Sequence, residues 1–449
     1  MSLNVALNTA VSGLMAHQRA IAATAENIAN VNTPEFARRE ANFFTDAIPG
    51  EFAGVDVEIA RAAADRFLQA ANYLGNAGAA GARAIADAVS RIEGSLGAPG
   101  DNLSFSNKLD EAFAALTALS ANPSSLAARG VAVSALDDAF RTFARTQDAI
   151  TEESDAAAGR LALDVERANA LLEEIFRLNG TVPDSPGAAD LIDARLAELS
   201  ELISINVARN DRGQVEVTTD NGRVLASAGG FAVLGAETGP PTRLSLSSSA
   251  GALAAADISG EIASGEIKAR IELRNTTLPQ LAALVEGAAR GVADALNAEH
   301  ALNVTVGATA PSAAGNPLIV EDASGRFSVN AAIRNDLSLL AVARPPAGGV
   351  GGANDGFGAA ALADVGASTA AGNVAEAVAQ IGATARSTNE AADTNEALAA
   401  ELSARVAEDA GVNLDEELSN LILYQRAYSA SARVISAVDE LYQTLLSIL

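Results

Sequence analysis

Apolar residues recur every seven positions at both ends of the chain, and that spacing limits the fold more than anything between them. Near the start, Leu7, Leu14, Ile21 and Ile28 keep a 3.5-residue seam, with Val11, Gln18 and Ala25 on the companion positions. The last stretch, GVNLDEELSNLILYQRAYSASARVISAVDELYQTLLSIL, repeats it with Leu421, Tyr428, Ile435, Tyr442 and Leu449. A neighbouring stripe of Val434, Val438, Leu441, Leu445 and Ile448 gives this second helix two apolar faces to bury. A helix that only closes its own domain needs one. The shared pattern therefore predicts that the two ends pair with each other, with a further face left for another partner.

The first seam ends at ENIANVNTPEF, residues 26–36. Asn30 and Asn32 tolerate the left-handed backbone of a helix C-cap. Pro34 lacks the N–H that would continue the helix and pushes Thr33 into an extended shape. Asn27, Asn30, Asn32, Thr33 and Pro34 together read as a helix stop.

Between the ends, residues 62–93 and 104–120 are helical in pattern. ANPSS breaks the chain at Pro123, Ser124 or Ser125 can cap the next helix, and the pattern then runs to a stop at Asn179 and Gly180. Such a helix would be ~80 Å long at 1.5 Å per residue and needs a neighbour of similar length, which points to a rod-like bundle. After another helix near 187–204 the period changes to two in ISINVARNDRGQVEVTTDNGRVLAS, with NDRG and DNG as hairpin turns. Helix returns over 262–300, followed by short strands in NVTVG, PLIVED and RFSVNA, the flexible loop RPPAGGVGGANDGFG, and a helix over 373–408. The fold class expected is mainly α with a β insert: a long helical bundle or coiled coil formed by the N- and C-terminal regions, plus a central β-rich domain.

Composition narrows the chemistry. Hydrophobic residues make up 49% of the 449, aromatics only 4%, and there is no Trp, a profile of closely packed Ala-rich helices. A net charge of -26 argues against nucleic acid and anionic lipid as partners. The ends are nearly neutral: residues 1–40 hold three Arg against three Glu, and residues 411–449 two Arg against five acids. Acidity thus belongs to the middle, and the ends suit burial in a protein interface. The absence of Cys excludes disulfides, thiolate metal sites and Cys nucleophiles. No signal peptide or membrane-spanning run is expected. His17 and His300 lie outside any metal-ligand spacing and read as surface or partly packed polar residues. Gly349 and Gly351 are followed by Asn354 where a dinucleotide-binding loop would place its third Gly. Asp415, Glu416 and Glu417 suit a helix N-terminus without any chemistry. No catalytic, cofactor or metal site is expected, because no constellation supports one.

SLNVALNTAVSGLMAHQRAIAATAENIANVNTPEFARRE resembles the N-terminal signature of the bacterial flagellar axial proteins, although the family's usual Gly-Tyr after the proline is Glu35-Phe36 here. The C-terminal segment, together with ANPSSLAARGVAVSALDDAF, LIDARLAELSELISINV, LPQLAALVEGAARGVADALNAEH and SVNAAIRNDLSLLAVARPPAGGVGGAND, is similar to the hook-associated protein 1 family, the first hook-filament junction proteins. The resemblance covers nearly the whole chain. It implies an N-terminal inner-tube helix at 1–40, a long-helix bundle at 41–204, a β-rich insert with an intervening helix at 205–345, a return to the bundle at 346–410, and a C-terminal inner-tube helix at 411–449. Leu7, Leu14, Ile21, Ile28, Leu421, Tyr428, Ile435, Tyr442 and Leu449 would form the assembly interface. The implied function is a secreted, structural junction of the bacterial flagellum that templates filament assembly. The implied partners are the hook protein, the second hook-filament junction protein, copies of itself, an export chaperone and the type III export apparatus. Alternatives are flagellin, the second junction protein, or an exported surface hydrolase or adhesin housed in residues 205–345.

Overall fold

The computed structural model describes residues 3–33, 36–48, 51–62, 65–97, 104–182, 186–248, 255–309 and 316–448. Helix α1 (Leu3–Ala29) runs into an antiparallel hairpin, β1 (Arg39–Ile48) and β2 (Glu51–Arg61), paired from Arg39↔Arg61 to Ile48↔Glu51. This corrects the expectation that the long-helix bundle begins at residue 41. Val55, Val57 and Ile59 alternate with Asp56 and Glu58, and this period-two signal lies between helical stretches so rich in Ala that it reads as more of the same. The hairpin is held on α1 by a close approach. Gly54 adopts φ +134°, a side chain there would meet Ser12 Oγ at 2.4 Å, and that hydroxyl accepts the Val55 N–H at 3.1 Å.

The body is built from long helices. Asp65 caps α2 (Arg66–Ser95), accepting the Phe67 N–H at 2.7 Å, and Ser104 caps α3 (Phe105–Ala121). Ser125, rather than Ser124, starts α4 (Leu126–Asn179), whose 54 residues span about 80 Å at about 1.5 Å per residue. At its far end the side-chain amide of Asn179 bonds both the N–H and the C=O of Val215 at 2.8 Å, so the residue that ends the helix also positions the sheet. After α5 (Pro186–Leu202) comes an antiparallel meander in chain order: β3 (Asn206–Arg209), β4 (Val215–Thr218), β5 (Val224–Ser227), β6 (Gly230–Glu237), β7 (Arg243–Ser248) and β8 (Ala256–Asp257). Then follow α6 (Glu266–Glu272), a π-turn at Leu273–Thr277, α7 (Leu278–Leu302), the small pair β9 (Ile319–Glu321) and β10 (Phe327–Val329), α8 (Ala331–Asn335), α9 (Phe357–Asp364), α10 (Thr369–Ala410) and α11 (Leu414–Ile448).

Two hydrophobic cores divide the body along α4. The first gathers Leu136 and Phe140 of α4 with Ile92 of α2, Leu116 of α3, Leu296 of α7, Val329 of β10 and Ile381 of α10. The second gathers Leu161, Leu172 and Ile175 of α4 with Ile192 and Leu199 of α5, Val217 and Leu225 of the sheet, and Ile267 of α6. Residues 205–345 are therefore not one insert. The sheet and α6 belong to the second core, and α7 with β9 and β10 belongs to the first, the change falling between Ile271 and Leu273, where the π-turn begins. Two further expectations are revised. NVTVG forms a single bridge, Val304↔Ala343, in place of a strand. The Gly-rich loop after it is pinned, with Gly307 donating to Gly351 at 2.9 Å, Gly351 to Ala308 at 2.8 Å, and the Arg344 N–H to Asp355 at 3.0 Å.

His300 is also no surface residue. It is 1% exposed, and its Nε2 accepts the Ala341 N–H at 3.0 Å. Burial lowers its pKa from 6.5 to about 4. Between those values the unfolded chain takes up a proton that the folded one refuses, so stability present above pH 6.5 is lost as pH falls toward 4. The full difference is about 3 kcal/mol. Thermal unfolding of the parent and of His300→Gln across this range should show the variant losing less stability on acidification. Parallel curves would mean that His300 takes no part in the acid response.

Candidate assembly interface

Helices α1 and α11 lie antiparallel, with the Tyr442 hydroxyl donating to Asn4 Oδ1 at one end and His17 stacked on Tyr424 toward the other. Leu7, Leu14, Ile21 and Ile28 are half-buried, as are Leu421, Tyr428, Ile435 and Tyr442; Leu449 lies outside the described residues. The buried positions of α1 lie outside the heptad seam and are mostly small: Ala10, Gly13, Ala16, Ala20 and Ala23, followed by Thr24 and Asn27. Their spacing of three and four residues is a usable signal in its own right. A Cβ on Gly13 would come within 3.4 Å of Ser431 Oγ, so small residues let α11 lie close on one side and the hairpin on another.

The second stripe of α11 is mostly open. Val438 is buried, but Val434 is 45% exposed, Leu441 52% and Leu445 53%. Leu418, Ile422, Leu423 and Leu446 are exposed as well. A row of large apolar side chains in water marks an interaction surface.

Where α1, β1 and α11 meet, His17, Phe43 and Tyr424 form an aromatic corner, with Phe43 5.2 Å from His17 and 5.7 Å from Tyr424 between ring centroids. Burial lowers the His17 pKa and raises that of Tyr424. At the helix stop, Asn27 is fully buried and bonds the backbone of Arg39 twice, donating to its C=O at 2.9 Å and accepting its N–H at 2.8 Å. The Asn30 amide donates to the Glu26 C=O at 2.9 Å, and Thr33 Oγ1 donates to Asn30 Oδ1 at 3.1 Å. Asn32 is exposed, while Pro34 and Glu35 lie outside the described residues. The stop thus does more than end a helix: through Asn27 it anchors the first residue of the hairpin. Among the described residues, no three His, Cys, Asp or Glu side chains group as metal ligands, and no helix is long and apolar enough to cross a membrane.

The family described as flagellar hook-associated protein FlgK helical domain matches residues 89–317, half of the chain. The chain belongs to the FlgK family. Two further matches fall on the helices that pair in the structure: flagella basal body rod protein at 7–36, and flagellar basal body rod FlgEFG protein C-terminal at 404–448. Flagellar hook-associated protein 1 of Escherichia coli is 21% identical over 357 residues, 75% of this chain and 65% of the relative. The protein of that name from Bacillus subtilis is 28% identical over 245 residues, 50% of this chain and 46% of the relative. That from Salmonella typhimurium is 25% identical over 313 residues, 66% and 56%. The chain therefore spans about half to two thirds of the length of these FlgK relatives. The flagellar hook junction protein FlgK from Burkholderia pseudomallei shares the fold, with a TM-score of 0.50 at 18% identity over 57% of this chain and 47% of that one.

Proposed function

We propose that the chain is a non-enzymatic structural adaptor of the extracellular flagellum, joining hook to filament through its paired terminal helices. The observation that carries this reading is the open apolar stripe of α11 beside a seam already occupied by α1: one face serves the fold, and the other is available to a neighbouring subunit. The near neutrality of both ends within a strongly acidic chain also supports it, since like charges would oppose packing of copies around one axis. The partners on this reading are the hook protein, the second junction protein and other copies of the chain, with an export chaperone and the type III apparatus acting before assembly. Immunolabelling of intact flagella is the direct test. A band at the hook tip is the expected result; label along the whole filament would replace the adaptor with a flagellin, and label on the cell surface would replace it with an adhesin or hydrolase.

A further inference from the structure

The two cores of the body share no residue, and little joins them. On α4 the first core ends at Ile150 and the second begins at Leu161, and the buried positions between them are Glu153 and Ala157. On α2 the interval from Tyr73 of the second core to Ala88 of the first buries only Gly75, Ala77, Gly81, Ala84 and Ala86. Glu153 is 6% exposed and gives its carboxylate to Arg91 of α2, at 2.6 and 2.8 Å, and to Arg160. Unfolding spreads through close-packed apolar contact, and a waist of glycine, alanine and an ion-paired glutamate transmits it weakly. Neither core takes a residue from α1 or α11.

Each core holds a titratable site of its own, and the two are of opposite kind. In the second, Arg270 of α6 is 8% exposed and lies 3.7 Å from Asp164 of α4 and 3.7 Å from Glu266 of its own helix. Arg270 Nε and Asp164 Oδ2 are both buried with no hydrogen-bond partner among the described residues. The Asp164 carboxylate thus lacks the short bond that would stabilise its charged form. Burial, then Glu266, raises its pKa to about 6 against the pull of Arg270 and Arg167. Glu201 of α5 is also raised, by burial first, with Arg167 opposing and Glu266 and Glu198 adding. In the first core His300 of α7 accepts the Ala341 N–H. Around it Glu299 is bound to Arg344, Asp355 accepts the Arg344 N–H, and Arg129 of α4 donates to the Leu340 C=O.

Below neutrality the folded protein takes up a proton at Asp164, near 6, that the unfolded chain binds only near 3.8, so this site adds stability as pH falls. His300 does the reverse, refusing a proton that the unfolded chain accepts at 6.5. We propose that the body consists of two separately cooperative units that answer mild acid in opposite directions: acid tightens the unit of α5, the sheet and α6, and loosens the unit of α3, α7 and α9. Asp164 and Glu201 set the first response and His300 the second. The device depends neither on the flagellar role nor on the terminal helices.

Calorimetry of the full-length chain should resolve two transitions, assigned by amide exchange at residues 161–175 for the second core and 281–296 for the first. From pH 7 to pH 5 the second-core transition should rise by roughly 5 °C and the first-core transition fall by roughly 5 °C. Asp257, Glu261, Glu321 and Asp336 are held below the usual carboxylate range by their hydrogen bonds and stay ionised throughout that window. Asp164→Asn with Glu201→Gln should remove the rise and leave the fall, and His300→Gln should remove the fall and leave the rise. A single transition in the parent, or two that do not move in opposite directions, would overturn the proposal whether or not a variant folds. So would opposite shifts that survive either set of substitutions in a folded variant.

Discussion

Removal of residues 411–449 is expected to leave cells with hooks that bear no filaments. The deletion takes away all of α11, and with it both the partner of α1 and the open stripe at Val434, Leu441 and Leu445. Neither hydrophobic core loses a residue, so the body should fold and keep its thermal transition. Flagellin, still made and exported, should then accumulate in the medium as monomer, because the missing element is a surface to assemble on. Electron microscopy of the deletion strain, with flagellin measured in the supernatant, reads both effects. Normal filaments on that strain, with no substitute junction protein, would end the adaptor proposal.

The second large effect separates the two faces of α11. Ile435 is half-buried, one heptad before Tyr442, whose hydroxyl reaches Asn4 of α1, whereas Leu441 is 52% exposed. An aspartate at 435 brings a charge into an apolar contact, at a cost of about 1–3 kcal/mol, and should loosen the α1–α11 pair within the free protein. An aspartate at 441 meets water in the free protein and should leave the pair as it is, but would sit against a neighbouring subunit after assembly. Both Ile435→Asp and Leu441→Asp should therefore fail to support filament growth. Only the first should speed amide exchange along α1, and neither should move the exchange of the core segment 161–175 of α4. Filament growth at the parental level with Leu441→Asp would show that the open stripe is not a contact surface. Loss of the α4 protection with Ile435→Asp would mean that α11 supports the body core after all.

Much of this molecule is legible in its residue order. The long helix at Leu126–Asn179 announces both its ends, through Ser125 and through Asn179 with Gly180, because capping is a local interaction between a side chain and backbone groups within a turn of it. The first three strands of the sheet, β3 to β5, are legible from their alternation and their Gly-containing turns for the same reason. The pairing of the chain ends follows from a seam, since a heptad repeat states which face is buried even without naming the partner. The hairpin at 39–61 escapes such reading because alternation over so few residues is weak against Ala-rich surroundings, and it is stabilised by α1, through Ser12 and Asn27, rather than by its own propensity.

Periodicity alone thus determined that α1 and α11 would seek each other and that α11 had a face to spare, because the side chains of a helix repeat at a fixed angle and their polarity is written in order along the chain. Only the tertiary structure decided which face is spent inside the molecule. It also decided that α7 packs with the bundle, that His300 is dry, and that Arg39, Arg61 and Arg209 converge on Asp190 and Asp193. The hairpin arginines lie far along the chain from the aspartates they meet and form no motif with them. They are brought together by the return of the hairpin foot onto α5, a long-range closure whose geometry no local pattern encodes.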